Sequence, residues 1–113
     1  MITENLVRDI LSQYKKHGWN LRRVLLLPET KKKLFNSLEI LFGDAEIVSS
    51  GINAAWFSRP SMKNRTAWEL RHLSEIPFAL FETFEENTDE HILLESLSEM
   101  ETQLQERTSK SRD

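Results

Sequence analysis

A run of apolar residues that stops at a proline is the feature that most constrains this fold. Residues 24–27 are a valine and three leucines, and Pro28 follows them directly. Because successive side chains of a strand point to opposite faces of a sheet, a strand that is apolar at every position is covered on both faces. Pro28 suits the first turn of a helix, where no N–H is needed. The run therefore predicts a central strand over 21–27 and a helix that begins at Pro28.

Helical patterns flank the predicted strand on both sides. Thr3 can cap a first helix over 4–16, in which apolar residues recur at helical spacing. Gly18 stands where a left-handed residue commonly follows the end of a helix. The second helix, from Pro28 onward, is expected to end at Gly43.

The segment after Gly43 has the short apolar stretches and turn-rich links of an antiparallel meander. Strands are predicted there over 45–49, 53–59, 66–73 and 78–85. Gly51 marks either a turn between the first two of these strands or the kink of one long bent strand over 45–59. The two alternatives predict a sheet of five strands and of four strands respectively, once the strand over 21–27 is added.

The order of the predicted elements is α-β-α-β-β-β-β-α, which indicates an α+β fold with a mixed or antiparallel sheet. The strand over 21–27, the helix after it and the next strand predict a right-handed βαβ crossover, and the meander extends that sheet. The N-terminal, crossover and C-terminal helices then cover at least one face. The chain of 113 residues fits a single domain. We place this domain at 1–107 and expect residues 108–113 to form a frayed polar tail.

The last predicted helix, from about Asp89 to Arg107, carries a narrow apolar seam. Its apolar residues are spaced four, three and four positions apart, as in a coiled coil. These residues are Leu93, Leu97, Met100 and Leu104. The seam can pack on the sheet within the monomer. It can also pair with the same helix of a second chain, in which case the four residues form a homodimer interface; a sheet edge is the other surface expected for self-association.

The composition excludes several kinds of site. The chain has no cysteine, which rules out disulfides, thiolate metal sites and cysteine nucleophiles. Its histidines, His17, His72 and His91, do not follow a metal-ligand spacing. No P-loop, GxGxxG, GxSxG or zinc-finger pattern occurs. We therefore predict no metal site and no cofactor, and we recognise no family in these patterns.

The expected location follows from the same kind of observation. No apolar run approaches the ~20 residues that span a bilayer. The N-terminus lacks the basic and apolar regions of a secretory signal. The expected location is the cytoplasm, which the absence of cysteine also fits, and no membrane partner is expected.

The densest group of functional side chains flanks a predicted hairpin. A turn near Met62 would pair Phe57 with Trp68. The same register places Trp56 opposite Glu69. One face of the hairpin is then core, and the opposite face combines an aromatic ring, a hydroxyl, a carboxylate and a guanidinium. The residues of this polar face are Trp56, Ser58, Glu69 and Arg71.

This polar face, joined by Arg59 at the strand end, is the predicted binding surface. The proline that follows Arg59 holds its backbone extended, so Arg59 and Arg71 could bind a carboxylate or phosphate in bidentate fashion. Glu69 is a candidate general base, should burial raise its pKa. The predicted ligand-binding residues are Trp56, Ser58, Arg59, Glu69 and Arg71. The alternative is a solvated sheet face with ordinary cross-strand pairs.

Charge is distributed unevenly along the chain. Residues 1–42 contain eight lysines and arginines against four acidic residues, whereas 43–113 contain seven against fourteen. The basic half could bind the phosphates of a nucleic acid. The sequence pI near 5.7 and the lack of a recognition helix or stacking motif favour solvated helix faces instead.

Together these patterns favour a small cytoplasmic binding or interaction domain over an enzyme. The expected partner is another protein or a second copy of the chain, and a small anionic ligand is also compatible with the arginines. The alternative is a small enzyme or small-molecule binder that acts on an anionic substrate at the same face. A further alternative, nucleic-acid binding through the basic N-terminal half, is the least favoured of the three.

Overall fold

A five-stranded mixed sheet forms the centre of the molecule, with helices on both of its faces. The computed structural model describes residues 2–110, and the side chains of 2–108. The strands are β1 (Asn20–Leu26), β2 (Glu46–Ser49), β3 (Ala54–Pro60), β4 (Arg65–His72) and β5 (Ala79–Glu85). Their order across the sheet is β2-β1-β3-β4-β5. The predicted α+β class and the order of helices and strands are confirmed.

The helices within residues 2–110 are α1 (Glu4–Lys16), α2 (Pro28–Lys33), α3 (Leu38–Phe42) and α4 (Glu90–Lys110), with a 3-10 turn at Phe35–Ser37. The second predicted helix is thus two short helices joined by this turn, and Gly43 ends it with a φ of 56°. α4 ends at Lys110 rather than near Arg107. Residues 111–113 of the expected tail lie outside the described part of the chain. None of these helices combines the length and the apolar character that a membrane crossing needs.

β1 is the central strand that its apolar run predicts. It pairs in parallel with β2 and antiparallel with β3. Val24 and Leu26 are buried in the core that α1 and α3 cover, whereas Leu25 is buried on the opposite side, in the core that α4 covers. The parallel pairing of β1 and β2 through α2 and α3 confirms that this connection is a crossover.

Residues 45–59 form two separate strands, so the alternative of one bent strand is wrong. β2 lies on one side of β1 and β3 on the other, because the link between them passes the end of β1. The Ser50 N–H donates to the Leu26 carbonyl at 2.9 Å, and the Leu27 N–H donates to Oδ1 of Asn53 at 2.9 Å. These bonds hold the link where the chain reverses, and the meander therefore comprises β3, β4 and β5 alone.

The two faces of the sheet have different covers. The first face packs on α1 and on the α2–α3 segment, and its core includes Val7, Ile10, Leu34, Phe42 and Phe57. The second face packs on α4, and its core includes Leu25, Trp56, Leu70, Leu97 and Leu104. Because side chains alternate along a strand, odd-numbered residues of the meander lie on the first face and even-numbered residues on the second.

The apolar seam of α4 covers the sheet of its own chain. Leu97, Met100 and Leu104 are buried in the core of the second face, and Leu93 is half-buried against it. This is the intramolecular one of the two arrangements that the seam spacing allows. A dimer built on these four residues would have to lift α4 away from its own sheet and expose Trp56.

The ends of α1 have the caps that its sequence predicts. The Leu6 N–H donates to the Thr3 hydroxyl at 3.1 Å, and Gly18 adopts a left-handed φ of 83°. The Trp19 N–H then donates back to the Tyr14 carbonyl at 3.0 Å. The rings of Tyr14 and Trp19 meet edge to face, with centroids 6.0 Å apart. The end of α1 therefore presents two aromatic side chains toward the meander.

Candidate functional site

The register of the β3–β4 hairpin differs by one residue from the register that the sequence suggested. Phe57 lies opposite Glu69, and Trp56 lies opposite Leu70. The predicted pairs of Phe57 with Trp68 and of Trp56 with Glu69 are therefore wrong. Because the side-chain period of a strand is two, a slip of one residue moves every side chain of one strand to the other face.

The hairpin loop explains the slip. Its turn runs from Met62 to Arg65, whose N–H donates to the Met62 carbonyl at 2.9 Å, and the Ser61 N–H then donates to the Arg65 carbonyl at 3.0 Å. Asn64 occupies the left-handed region with a φ of 62°, which asparagine tolerates better than most residues. A turn centred on Met62 would not contain Asn64 as a loop residue. The observed loop does contain it, and this extra residue shifts the pairing of β3 with β4 by one position.

Trp56 and Ser58, two of the predicted ligand-binding residues, lie on the second face beneath α4. Trp56 is 1% exposed and Ser58 is 5% exposed. Nε1 of Trp56 donates to Oε2 of Glu101 on α4 at 2.7 Å, and its ring meets Trp68 edge to face at 6.0 Å. The structure therefore places these two residues in the core and does not bring them together with Glu69 and Arg71.

The other three predicted residues, Arg59, Glu69 and Arg71, share the first face. Two of them line a pocket of about 290 Å³ between the end of α1 and the meander, hereafter the Arg59 pocket. Its walls are formed by Gln13, Tyr14, His17, Trp19, Arg59 and Glu69. The sequence did not associate Tyr14 and Trp19 with this site. The signal in the sequence was Gly18, because a left-handed residue after a helix turns the chain back and brings Trp19 against Tyr14.

Tyr14 links α1 to the meander. Its ring stacks on Phe57, with centroids 4.0 Å apart and an interplanar angle of 13°. Its hydroxyl donates a hydrogen bond to Oε2 of Glu69. Burial raises the pKa of the Tyr14 phenol well above its ordinary value, and the hydrogen bond and negative charge of Glu69 raise it further, while Arg71 lowers it. The phenol therefore stays protonated at neutral pH and keeps its proton directed at Glu69.

Arg59 is held in place by two contacts with the turn that follows α1. Its guanidinium lies over the Trp19 ring, 4.5 Å from the centroid, and Nη1 donates to the His17 carbonyl at 2.6 Å. Arg59 is exposed, and no carboxylate of residues 2–108 forms an ion pair with it. Since a guanidinium has five N–H donors, Arg59 retains donors for a further group.

Arg71 lies next to the pair of Tyr14 and Glu69 but is oriented differently from Arg59. Its Nη1 donates to the carbonyl of the neighbouring His72, and its charge acts on the Tyr14 phenol. Arg71 is half-buried, which distinguishes it from the exposed Arg59. The two arginines that were predicted to act as one anion clamp therefore differ in exposure and in hydrogen-bond partner.

The first face continues beyond the pocket onto an uncovered part of the meander. Phe81 lies there opposite Glu69 and is 54% exposed. Its ring meets Trp19 at 87°, with centroids 6.4 Å apart. On the same face, Ala79 is half-buried and Ala67 is buried, with 3% of its surface exposed. The pocket and the exposed Phe81 ring are therefore the accessible features of this part of the first face.

The basic residues of the N-terminal half do not form one surface. Lys33 donates to the Ile2 carbonyl at the start of α1, whereas Lys15 lies in the last turn of that helix of 13 residues. At 1.5 Å per residue, the two ends of α1 are about 20 Å apart. Arg23 pairs with Glu46, and Arg22 lies over Trp68 at 5.6 Å on the second face. The continuous basic patch that phosphate binding would require is therefore divided.

In the part of the chain that the structure describes, no group of three or more histidines, cysteines, aspartates and glutamates could hold a metal ion. Compared with known proteins, the chain matches no family model, no curated protein and no solved structure. The Arg59 pocket and its surroundings are therefore the candidate functional site of this chain.

Proposed function

We propose that this chain is a binding domain rather than an enzyme, and that a partner protein inserts an acidic side chain into the Arg59 pocket. The main observation behind the proposal is the environment of the exposed Arg59 guanidinium. It is held against the Trp19 ring and the His17 carbonyl, and it forms no ion pair among residues 2–108. Arginine and tryptophan are among the residue types enriched at the positions that contribute most to binding in protein interfaces.

The immobilisation of Arg59 supports this role. A long side chain that becomes ordered on binding loses rotamer freedom, which costs about 0.5–1.5 kcal/mol. The stacking on Trp19 and the bond to His17 order Arg59 before any partner arrives. A carboxylate of the partner can then accept two parallel N–H bonds in a geometry that the guanidinium already holds.

Glu69 adds an acceptor to the lining of the same pocket. Tyr14 donates to Oε2 of Glu69, which leaves Oε1 and its lone pairs for a donor from the partner. A segment that presents a carboxylate beside an N–H group would match Arg59 and Glu69 together. The exposed ring of Phe81 would pack against an apolar side chain of the same segment.

The hydrogen bonding of Tyr14 and Glu69 favours binding over catalysis. A tyrosine that acts as a nucleophile or as a general base needs a lowered pKa. The raised pKa of Tyr14 has the opposite sign, and its proton is directed at Glu69. Both groups therefore act most simply as a fixed wall that joins α1 to β4. The cytoplasm remains the expected setting for this interaction.

A displayed library of random linear peptides tests the proposal, because such a library does not require the partner to be identified in advance. The immobilised protein is expected to enrich peptides that contain aspartate or glutamate beside an aromatic or aliphatic residue. These peptides should lose binding to Arg59→Ala, because the anchored guanidinium supplies the charge-assisted bonds.

Arg22→Ala is the matched control, since Arg22 also lies over a tryptophan but on the second face. Selected peptides should bind this variant as they bind the unmodified protein. Peptides that bind Arg59→Ala equally well would contradict the proposal. A thermal-shift response to small carboxylates or phosphates that depends on Glu69, together with turnover of such a compound, would favour the enzyme alternative instead.

A further inference from the structure

β5 is an edge strand whose outer side has free hydrogen-bonding groups. The His72 N–H donates to the Phe78 carbonyl at 2.9 Å, and the Glu86 N–H donates to the Asn64 carbonyl at 2.8 Å. In an antiparallel pair, residues alternate between those bonded to the partner strand and those that face away from it. Even-numbered residues of β5 therefore bond to β4, and the N–H and C=O groups of the odd-numbered residues face outward.

The open part of this edge runs from Ala79 to Thr83. The Thr83 carbonyl already accepts from Nη2 of Arg65 at 3.1 Å, and the Glu85 carbonyl accepts from the Thr88 N–H at 3.0 Å. Among the described residues, no such bond reaches the N–H and C=O of Ala79 and Phe81 or the N–H of Thr83, which all face outward. This is the length of edge that a short extended segment can pair with when it adds a strand to a sheet.

A groove of about 260 Å³ runs beside this edge on the second face, between β5 and α4. Leu80, Phe84 and Met100 supply its apolar lining, and Glu82 and Glu99 supply its charges. The residues that line the groove include no lysine or arginine. A strand added beyond β5 would send every second side chain toward these two carboxylates.

The other side of an added strand would meet a different surface. Its remaining side chains would point to the first face, next to Phe81, whose ring is 54% exposed. The residue opposite Glu82 therefore needs a positive charge, and the residue opposite Phe81 needs an apolar side chain. The edge thus specifies an alternation of basic and apolar residues.

We propose that the Ala79–Thr83 edge binds an extended segment of a partner protein in which lysine or arginine alternates with apolar residues. A second copy of this chain fits the edge less well. Pairing two β5 strands about a two-fold axis would bring Glu82 and Glu99 of both chains into one groove, and clustered like charges oppose association. The exposed Phe81 ring lies beside both surfaces. The proposed function depends on Arg59 and this proposal on Glu82, so substitutions of these two residues test the two proposals separately.

Amide hydrogen exchange measured by NMR is the direct test, with a synthetic peptide of alternating valine and lysine as the probe. Bound peptide should slow exchange at Ala79, Phe81 and Thr83, whose amides point outward. The amides of Leu80, Glu82 and Phe84 already bond to β4 and should change little. A peptide of alternating valine and glutamate is the control and should leave the odd-numbered amides fast.

Two variants separate the backbone and charge contributions. Ala79→Pro removes an outward N–H while leaving the bonds to β4, because proline is tolerated on edge strands, and it should weaken peptide binding severalfold. Glu82→Lys should reverse the preference between the lysine and glutamate peptides. Arg23→Ala, which loses an ion pair with Glu46 at the opposite edge of the sheet, should leave both peptides unaffected. The amide spectrum shows whether Ala79→Pro is folded. If Ala79→Pro is unfolded, Glu82→Lys tests the proposal instead, because position 82 is exposed on the surface.

Two results would overturn this proposal. One is fast exchange of Ala79, Phe81 and Thr83 at saturating lysine peptide, or equal protection by the glutamate peptide. The other is protection of these amides in the protein alone that grows with its concentration and accompanies a doubled mass in light scattering, which would assign the edge to a second copy.

Discussion

On each face of the sheet, an aromatic side chain donates a hydrogen bond to a carboxylate and so joins the sheet to a helix. The donor belongs to the helix on the first face and to the sheet on the second. On the first face, Tyr14 of α1 donates to Glu69 of β4. On the second face, Trp56 of β3 donates to Glu101 of α4. The pairs differ in their surroundings, since Trp56 is fully buried whereas Tyr14 and Glu69 line an open pocket.

Helix length accounts for much of this difference. α4 has 21 residues and lies along the meander, whereas α1 has 13 residues and its end is followed by Gly18 and Trp19 at the edge of the Arg59 pocket. The first face is therefore less covered over β5, where Phe81 is 54% exposed. The same kind of bond thus serves the core on one face and shapes a binding surface on the other.

Trp56→Ala, on the second face, should have the greatest consequence for stability. Removal of a fully buried aromatic side chain should lower the free energy of unfolding by about 3–5 kcal/mol. Urea denaturation followed by circular dichroism measures this loss. A loss of no more than about 0.5 kcal/mol, which is typical of surface positions, would mean that Trp56 is not the core residue its burial indicates.

Glu101→Ala should rank second. It leaves Nε1 of Trp56 buried without its acceptor, which costs about 1–3 kcal/mol. Denaturant unfolding of this variant should be compared with Glu99→Ala, a neighbouring acid on an exposed position of the same helix. Equal losses in the two variants would show that the bond to Trp56 contributes nothing specific.

Stability measured at high pH should reveal the contribution of Tyr14. The pKa of Tyr14 is higher in the folded chain than the value of about 10 expected in the unfolded chain. Its contribution is therefore fully present below about pH 10 and is lost as the pH rises from there toward the folded pKa. Since the sequence has a single tyrosine, phenolate absorbance reports this residue alone.

Folded protein should accordingly show phenolate only at a higher pH than protein in denaturant. Stability should also fall more steeply above about pH 10 in the unmodified chain than in Tyr14→Phe, which has no proton to lose there. Identical titration curves in the folded and denatured chains would mean that Tyr14 is neither buried nor bonded to Glu69.

The two stacked arginines should contribute least to stability. Arg59→Ala and Arg22→Ala each remove a cation over a tryptophan, and each should lower the free energy of unfolding by only about 0.5–1 kcal/mol. Thermal unfolding of the two variants measures this directly. A much larger loss for Arg59→Ala would mean that Arg59 supports the fold and is not primarily a binding residue.

Much of the fold was predictable because its signals are local. The apolar run before Pro28 predicted the central strand, Thr3 and Gly18 marked the ends of α1, and the seam spacing of α4 matched its buried face. The candidate site was only half predictable. Arg59, Glu69 and Arg71 do share a face, but Trp56 and Ser58 lie on the other, because Asn64 adds one residue to the hairpin turn.

Tyr14 illustrates why the rest of the site could not be predicted. It belongs to the apolar stripe of α1, where helical spacing accounts for it completely, and its partner Glu69 is 55 residues away. Nothing in the local pattern of either residue refers to the other. The pocket exists only because the packing of α1 on the first face brings the two together.

Local patterns were thus enough to specify the order of helices and strands, the burial of β1 on both faces and the ends of the first helix, because these depend on side chains within a few positions of one another. The hairpin register, and hence which polar groups share a face, emerged only in three dimensions, since one left-handed residue in a turn shifts a whole strand. The packing of the helices also determined which parts of the sheet remain exposed, and the proposed binding surfaces lie beside those parts.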